Sequence, residues 1–326
     1  MFQASKRFHV FAIGALSVVL TACAPSGKSG WEDNTEGRLQ VAATFSILGD
    51  LAEQVGGDRV MVRTLVPVES DPHSFDASPA ESRTLAGADL LVEIGHDFEP
   101  WLDRLYRACR STAYRVVLTE GLALVPADRG HAAGHAGNDC RRAEKDPHAW
   151  HDVRKTMKMV DALRRAFSEA DPENTGVYEA NAERYLAELA ELDAWIVTRT
   201  GELRVEERKL FTHHDVFEYF ARRYGFDVVG TALTATTTAV FDPSASQVGS
   251  QIRTIRAVGL HVVFPEVGSS SQLISRIAGD AGARIGPPLY TDSLSREGGE
   301  ASSYIAMMRY NVETLVDHLS AGFDEL

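Results

Sequence analysis

Between residues 177 and 197 apolar side chains recur at Val177, Ala180, Tyr185, Leu186, Leu189, Leu192, Ile196 and Val197. That three-and-four spacing is one face of an α-helix. Asp171 suits the cap, Pro172 the first helical position and Gly201 the stop. The pattern predicts one helix over 172–201, about 45 Å long at about 1.5 Å per residue. The stripe ends too soon for a coiled-coil arm, which needs several heptads. On both sides short apolar runs alternate with amphipathic ones. Before the long helix, strands are predicted at 40–45, 60–66, 89–94 and 114–118, and helices at 47–55, 79–86, 101–109 and 152–170. After it, strands at 209–212, 227–231, 261–264 and, weakly, 284–285 alternate with helices at 216–224, 244–258, 271–281 and 302–319. Such alternation implies crossover units and a mainly parallel sheet. The expected fold is α/β: two similar lobes, each a mainly parallel sheet flanked by helices, joined by one long rigid helix.

At about 150 residues per domain, 326 residues also suggest two domains. Lys6 and Arg7 precede an apolar run over 8–20, which is long enough for a signal peptide and short for a membrane span. It ends in Leu20-Thr21-Ala22-Cys23, which resembles the bacterial lipoprotein processing site and implies a lipid on Cys23. The expected organisation is a signal peptide over 1–22, a lipidated flexible tether over 23–38, a first lobe over 39–170, the linking helix over 171–201 and a second lobe over 202–326. No later run reaches the roughly 18 apolar residues of a spanning segment. A formal charge of −13 argues against nucleic acid and anionic membrane surfaces as partners and favours cations through the long-range field. Cys109 and Cys140 remain, and in an exported protein they are candidates for a disulfide.

Four segments each follow a predicted strand: Asp71-Pro72-His73, Asp146-Pro147-His148-Ala149-Trp150, Thr212-His213-His214-Asp215 and Tyr290-Thr291-Asp292-Ser293. In open parallel sheets ligands bind beyond the carboxyl ends of the strands. Two segments come from each lobe, so an interlobe cleft can gather His73, His148, His214 and Asp292. Three imidazoles and a carboxylate suit a divalent transition metal. In the repeated Asp-Pro-His the proline fixes the turn, and the aspartate can orient backbone or imidazole. Residue types alone leave open the ordinary alternative, a set of solvated loop histidines.

From about residue 41 to 319 the chain resembles the metal-specific substrate-binding proteins of bacterial ABC transporters, the group containing zinc- and manganese-binding lipoproteins. Asp71-Pro72-His73-Ser74-Phe75, Asp146-Pro147-His148-Ala149-Trp150, the run from His214-Asp215-Val216-Phe217 to Phe220, and Thr291-Asp292-Ser293-Leu294 resemble the four ligand segments. Phe264-Pro265-Glu266, Asp242-Pro243-Ser244 and the long helix are similar to family features as well. The resemblance implies extracytoplasmic capture of a divalent metal by His73, His148, His214 and Asp292 and delivery to an ABC permease. It also implies a membrane-anchored monomer, exported to the periplasm or cell surface, that performs no catalysis. Zinc is the expected ion and manganese the alternative, because the third segment carries His214 where manganese-specific relatives often carry glutamate. The chain departs from the family pattern at His151, where a hydrophobic residue is common, and at His213, which could shift the ligand register. His96 is expected as a polar wall residue, and Glu266 as a partner of a ligand histidine. His131 and His135, in the loop over 127–145, occupy the place of the histidine-rich insertion of zinc-specific relatives and form a candidate accessory site. Two rivals from other classes are a periplasmic zinc hydrolase and a surface adhesin. Against the first, the chain has neither His-Glu-x-x-His nor Gly-x-Ser-x-Gly; against the second, nothing resembles an adhesive repeat.

Overall fold

The computed structural model describes residues 31, 33–34, 36–127, 145–233 and 243–320. The signal segment, Cys23, Asp242 and the loop residues His131, His135 and Cys140 lie outside the described residues. The first lobe runs β1 (Leu39–Ala43), α1 (Ser46–Gly56), β2 (Val60–Thr64), α2 (Pro79–Gly87), β3 (Leu90–Glu93), α3 (Leu102–Ala108) and β4 (Tyr114–Val117). Its sheet is parallel throughout, in the order β2-β1-β3-β4. Two helices follow, α4 (Val153–Ala170) and α5 (Thr175–Thr200). The second lobe runs β5 (Lys209–Thr212), α6 (Glu218–Tyr224), β6 (Asp227–Thr231), α7 (Ala245–Val258), β7 (Val262–Val263), α8 (Gln272–Ala281), β8 (Arg284–Ile285) and α9 (Tyr304–Ser320). Here the parallel pairs are β5–β6 and β7–β8. The Phe264 N–H, just past β7, donates to Phe211 O in β5 at 3.1 Å. The order β6-β5-β7-β8 therefore repeats that of the first lobe.

Local chemistry explains where the elements begin and end. Ser78 and Glu81 form a capping box on α2, and Ser244 and Gln247 form one on α7. Asp152 accepts from the Arg154 N–H at the start of α4. Gly225 ends α6 in the left-handed conformation at φ 77°, which a Cβ would strain. The helix expected from residue 216 begins only at Glu218, because the segment holding His214 stays irregular through Phe217.

The long helix differs from expectation at its start and on its buried face. Pro172–Asn174 forms a 3₁₀ turn, and α5 proper has 26 residues, about 39 Å. The Asp171 carboxylate does not cap the backbone; it accepts from Asn174 Nδ2 at 2.8 Å and the Tyr178 hydroxyl at 2.7 Å. The buried stripe is Tyr178, Ala182, Tyr185, Leu189, Leu192 and Ile196, whereas Ala180 is exposed and Val197 is 47 % exposed. Tyr178 falls on the core side because Asp171 satisfies its hydroxyl, so its apolar ring can be buried. The helix is not a free rod, since α1, α4, α6 and α9 all pack on it.

One continuous apolar core passes from β1 and β3 (Val41, Leu91) through α4 and α5 (Met159, Leu189) into α6 and α9 (Phe220, Leu315). The last helix thus returns to the first lobe. A smaller cluster of Phe211, Ile255, Val263, Ile274 and Ile277 belongs to the second lobe alone. Trp31, within the stretch expected as tether, is buried: its indole N–H donates to Thr84 O at 2.9 Å, and the Arg63 guanidinium lies 5.1 Å from the ring. The packed first lobe therefore reaches back to Trp31. The lobes meet tightly at Gly268 (φ 83°), where a Cβ would stand 3.1 Å from Glu69 O. Among the described residues no helix is long and apolar enough to cross a membrane.

Candidate metal centre

Each functional side chain sits in a short loop whose own polar groups fix it. In Asp71-Pro72-His73, Asp71 accepts from the His73 N–H at 2.8 Å and the Ser74 hydroxyl at 2.8 Å, and the Trp101 indole donates to Pro72 O at 2.7 Å. The His73 ring is then aimed by its Nδ1, 3.2 Å from Phe98 O. In Asp146-Pro147-His148 a single carboxylate oxygen does both jobs, accepting from His148 N at 3.0 Å and Nδ1 at 2.8 Å. His214 is held by Glu266, which accepts from its N–H at 3.1 Å and its Nδ1 at 2.5 Å, while the Thr212 hydroxyl donates to His214 O at 3.0 Å. In all three histidines Nδ1 faces a carbonyl or carboxylate oxygen, which can only accept. Nδ1 therefore carries the proton, and Nε2 presents its lone pair.

Those Nε2 atoms and the Asp292 carboxylate converge. Asp292 Oδ2 lies 3.2 Å from His214 Nε2 and 3.6 Å from His73 Nε2, and Oδ1 lies 3.9 Å from His148 Nε2. His73 and His148 approach to 3.5 Å between Nε2 atoms. One donor atom from each of the four lies within 4.8 Å of all the others. A tetrahedral ion with bonds of about 2.0–2.1 Å has donor–donor edges of about 3.3 Å. All four residues are buried, and His214 Nε2 and Asp292 Oδ1 have no hydrogen-bond partner. Buried acceptors facing one another without protons are costly unless a cation sits among them.

The electrostatics agree. Burial alone would raise the Asp292 pKa, but His214, His73 and His148 outweigh it and hold the carboxyl well below its usual range. Burial would likewise strip the His214 proton, yet Glu266 and Asp292 outweigh it and raise its pKa well above the ordinary value. Burial lowers His73. Glu266 and Asp292 thus favour positive charge at the point where the Nε2 atoms converge.

The remaining candidates fall outside the four-donor cluster. His213 is 6 % exposed and turns away, with its ring centroid 6.4 Å from that of His214. His151 is fully buried between Trp150 and Phe217, with centroids at 5.6 and 4.9 Å and neither ring nitrogen hydrogen-bonded. Burial pushes its pKa down to about 3, so it packs as a neutral aromatic. His96 is exposed, in a turn after β3 with φ 54°. Cys109 carries a free thiol 3.5 Å from Tyr106 O.

Sequence reasoning missed several supports. Glu99 accepts from the Ile94 N–H, the Gly95 N–H and the Thr44 hydroxyl, which pins the turn that delivers Phe98 O to His73. Burial raises its pKa to about 7. The Tyr219 hydroxyl of α6 donates to Asp146 O at 2.6 Å and accepts from the Val125 N–H at 3.1 Å, so the second lobe steadies the His148 loop. Tyr219 falls within the run from His214 to Phe220; Glu99 has no signal beyond its place after a strand. The loop of Asp292 is tied to the first lobe: the Trp150 indole donates to Thr291 O (2.9 Å), the Glu69 N–H to Ser293 Oγ (2.7 Å) and the Leu294 N–H to Ser46 Oγ (2.8 Å).

Known proteins resemble the chain over most of its length. The chain is 30 % identical over 310 residues, 95 % of its length and 97 % of the relative's, to a manganese-binding lipoprotein, MntA, of Halalkalibacterium halodurans. It is 28 % identical to the iron-binding protein YfeA of Yersinia pestis, covering 94 % of each chain. The Mn-bound periplasmic metal-binding protein of Candidatus Liberibacter asiaticus superposes with a TM-score of 0.74 at 26 % identity, over 86 % of this chain and 100 % of that one. The periplasmic zinc-binding protein TroA of Treponema pallidum shares the fold, with a TM-score of 0.76 at 24 % identity over 87 % and 99 % of the two chains. The sequence profile described as "Zinc-uptake complex component A periplasmic" matches residues 41–318, and the chain belongs to that family.

Proposed function

We propose that this protein captures a divalent transition metal outside the cytoplasm and delivers it to an ABC permease, taking zinc in preference to manganese. One observation carries the reading: three Nε2 atoms, each on a ring whose Nδ1 is held by an oxygen, and one carboxylate, all buried, lie within 4.8 Å of one another. His73, His148, His214 and Asp292 are the ligands. A four-protein-ligand shell leaves no open position for activated water, which argues for binding over hydrolysis. A cleaved leader over 1–22 and a lipid on Cys23 would keep the protein at the membrane. The ordered first lobe fixes His73, His148 and, through its loop, Asp292. His214 is oriented by Thr212 and Glu266 of the second lobe, so withdrawal of the His214–Glu266 pair is the local shift that opens the site to the permease.

Manganese is the second reading. Both Asp292 oxygens face imidazoles, so a bidentate carboxylate would supply the higher coordination that manganese favours. Relatives named for manganese, such as MntA, point the same way. Zinc stands above manganese in affinity for nitrogen-rich sites. The expected preference is at least about a hundredfold, about 2.7 kcal/mol. Competition titration of metal-free protein with both ions tests this, and equal or tighter binding of manganese refutes the zinc assignment.

A further inference from the structure

Beside the four-donor cluster lies a cavity of about 1060 Å³ between the Asp71–Ser74 loop of the first lobe and α7 and α8 of the second. His213 forms part of its wall. Its Nδ1 is buried and has no hydrogen-bond partner. In the tautomer protonated at Nε2, Nδ1 presents a bare lone pair, on a side chain that is 94 % buried. Within 4.8 Å of a His213 ring nitrogen lie donor atoms of both Glu266 and His214. Glu266 accepts from His214 N, His214 Nδ1 and the Thr291 hydroxyl. A carboxylate has about four acceptor positions, so one is left over.

We infer that His213 and Glu266 form a second, weaker site for a divalent transition metal, beside the cavity, through which the ion passes on its way to the inner cluster. Two protein donors completed by solvent bind loosely, as a staging position must. Glu266 is common to both sites: it can hold an ion beside His213 and also orients His214, the neighbouring ligand of the inner site. The inference rests on the proposed function only for the ion's destination.

The test uses the full chain with His131→Ala, His135→Ala and Cys140→Ser, which removes the other candidate zinc collectors. After one equivalent of zinc is bound, a second is added and followed by calorimetry. The expected result is a second equivalent at least about a thousandfold weaker than the first, weakened at least tenfold further by His213→Gln. Glutamine keeps a polar amide at this position and lacks the imidazole ligand. Stopped-flow uptake of the first equivalent should slow several-fold in the same variant. A mutation-free check is anomalous scattering from crystals grown in excess zinc, with a second peak expected between His213 and Glu266. Absence of a weak second equivalent in the parent, its persistence at full strength in His213→Gln, or a second peak elsewhere would overturn the inference. The first equivalent is scored separately by its loss in His73→Ala, so the two readings can fail independently.

Discussion

Replacing His214 by glutamate tests how far the surroundings commit the third ligand to nitrogen. Ligand chemistry alone predicts a simple outcome: exchanging nitrogen for oxygen narrows the gap between zinc and manganese. The structure adds a penalty. Glu266 lies 2.5 Å from His214 Nδ1 and is placed to accept a proton from it. In His214→Glu that proton is gone, and a second carboxylate faces Glu266 in a fully buried site that already holds Asp292. Two like charges about 4 Å apart cost about 4 kcal/mol at an effective dielectric constant of about 20. In the metal-free variant the two carboxylates are thereby driven to share a proton that the ion must displace, so the single variant should lose up to about a thousandfold in affinity for either ion. Adding Glu266→Gln removes the repulsion and supplies an amide donor. The double variant should regain most of the loss, with a zinc-to-manganese ratio at least tenfold smaller than the parent's. Competition against a chelator of known affinity at fixed pH, with both ions and all three proteins, reads each quantity. If His214→Glu binds zinc as tightly as the parent, or if Glu266→Gln restores nothing, the argument that Glu266 dictates a histidine at position 214 is wrong.

His73→Ala and His148→Ala should each weaken zinc binding by at least about a hundredfold, about 2.7 kcal/mol, with the far-ultraviolet circular dichroism of the metal-free protein retained; unchanged affinity in either would remove that residue from the shell. Zinc affinity should fall as the pH is lowered from 8 to 5, because a proton favoured on His214 above the ordinary histidine pKa must leave when the metal enters. His73, lowered by burial, stays neutral in that window and adds nothing to the slope. A flat profile from pH 8 to 5 contradicts the proposed exchange of proton for metal. Cys109→Ser with Cys140→Ser should leave the first zinc equivalent intact by calorimetry, and its loss would mean that the site has been misplaced.

Much of this protein is set locally, and the sequence by itself determined that part. The alternation of short strands and amphipathic helices, the capping boxes at Ser78 and Ser244 and the stop at Gly225 act over a few residues, so the order of the elements could be read from them. The Asp-Pro-His turns are equally local: the aspartate bonds to the backbone two residues on, which makes His73 and His148 stand out before any fold is known. What bonds across long separations had no such signature. Phe98 O reaches His73, Tyr219 reaches Asp146, and Ser46 reaches Leu294 only because the chain has folded. The buried face of α5 depended on a hydroxyl partner for Tyr178, which periodicity cannot supply. His151, His213 and His214 are chemically the same residue, and tertiary surroundings alone separate them. Aromatic packing makes the first a neutral core ring, and the second stands outside the four-donor cluster at the edge of a cavity. The third is aimed at Asp292 by Glu266, more than fifty residues further along the chain.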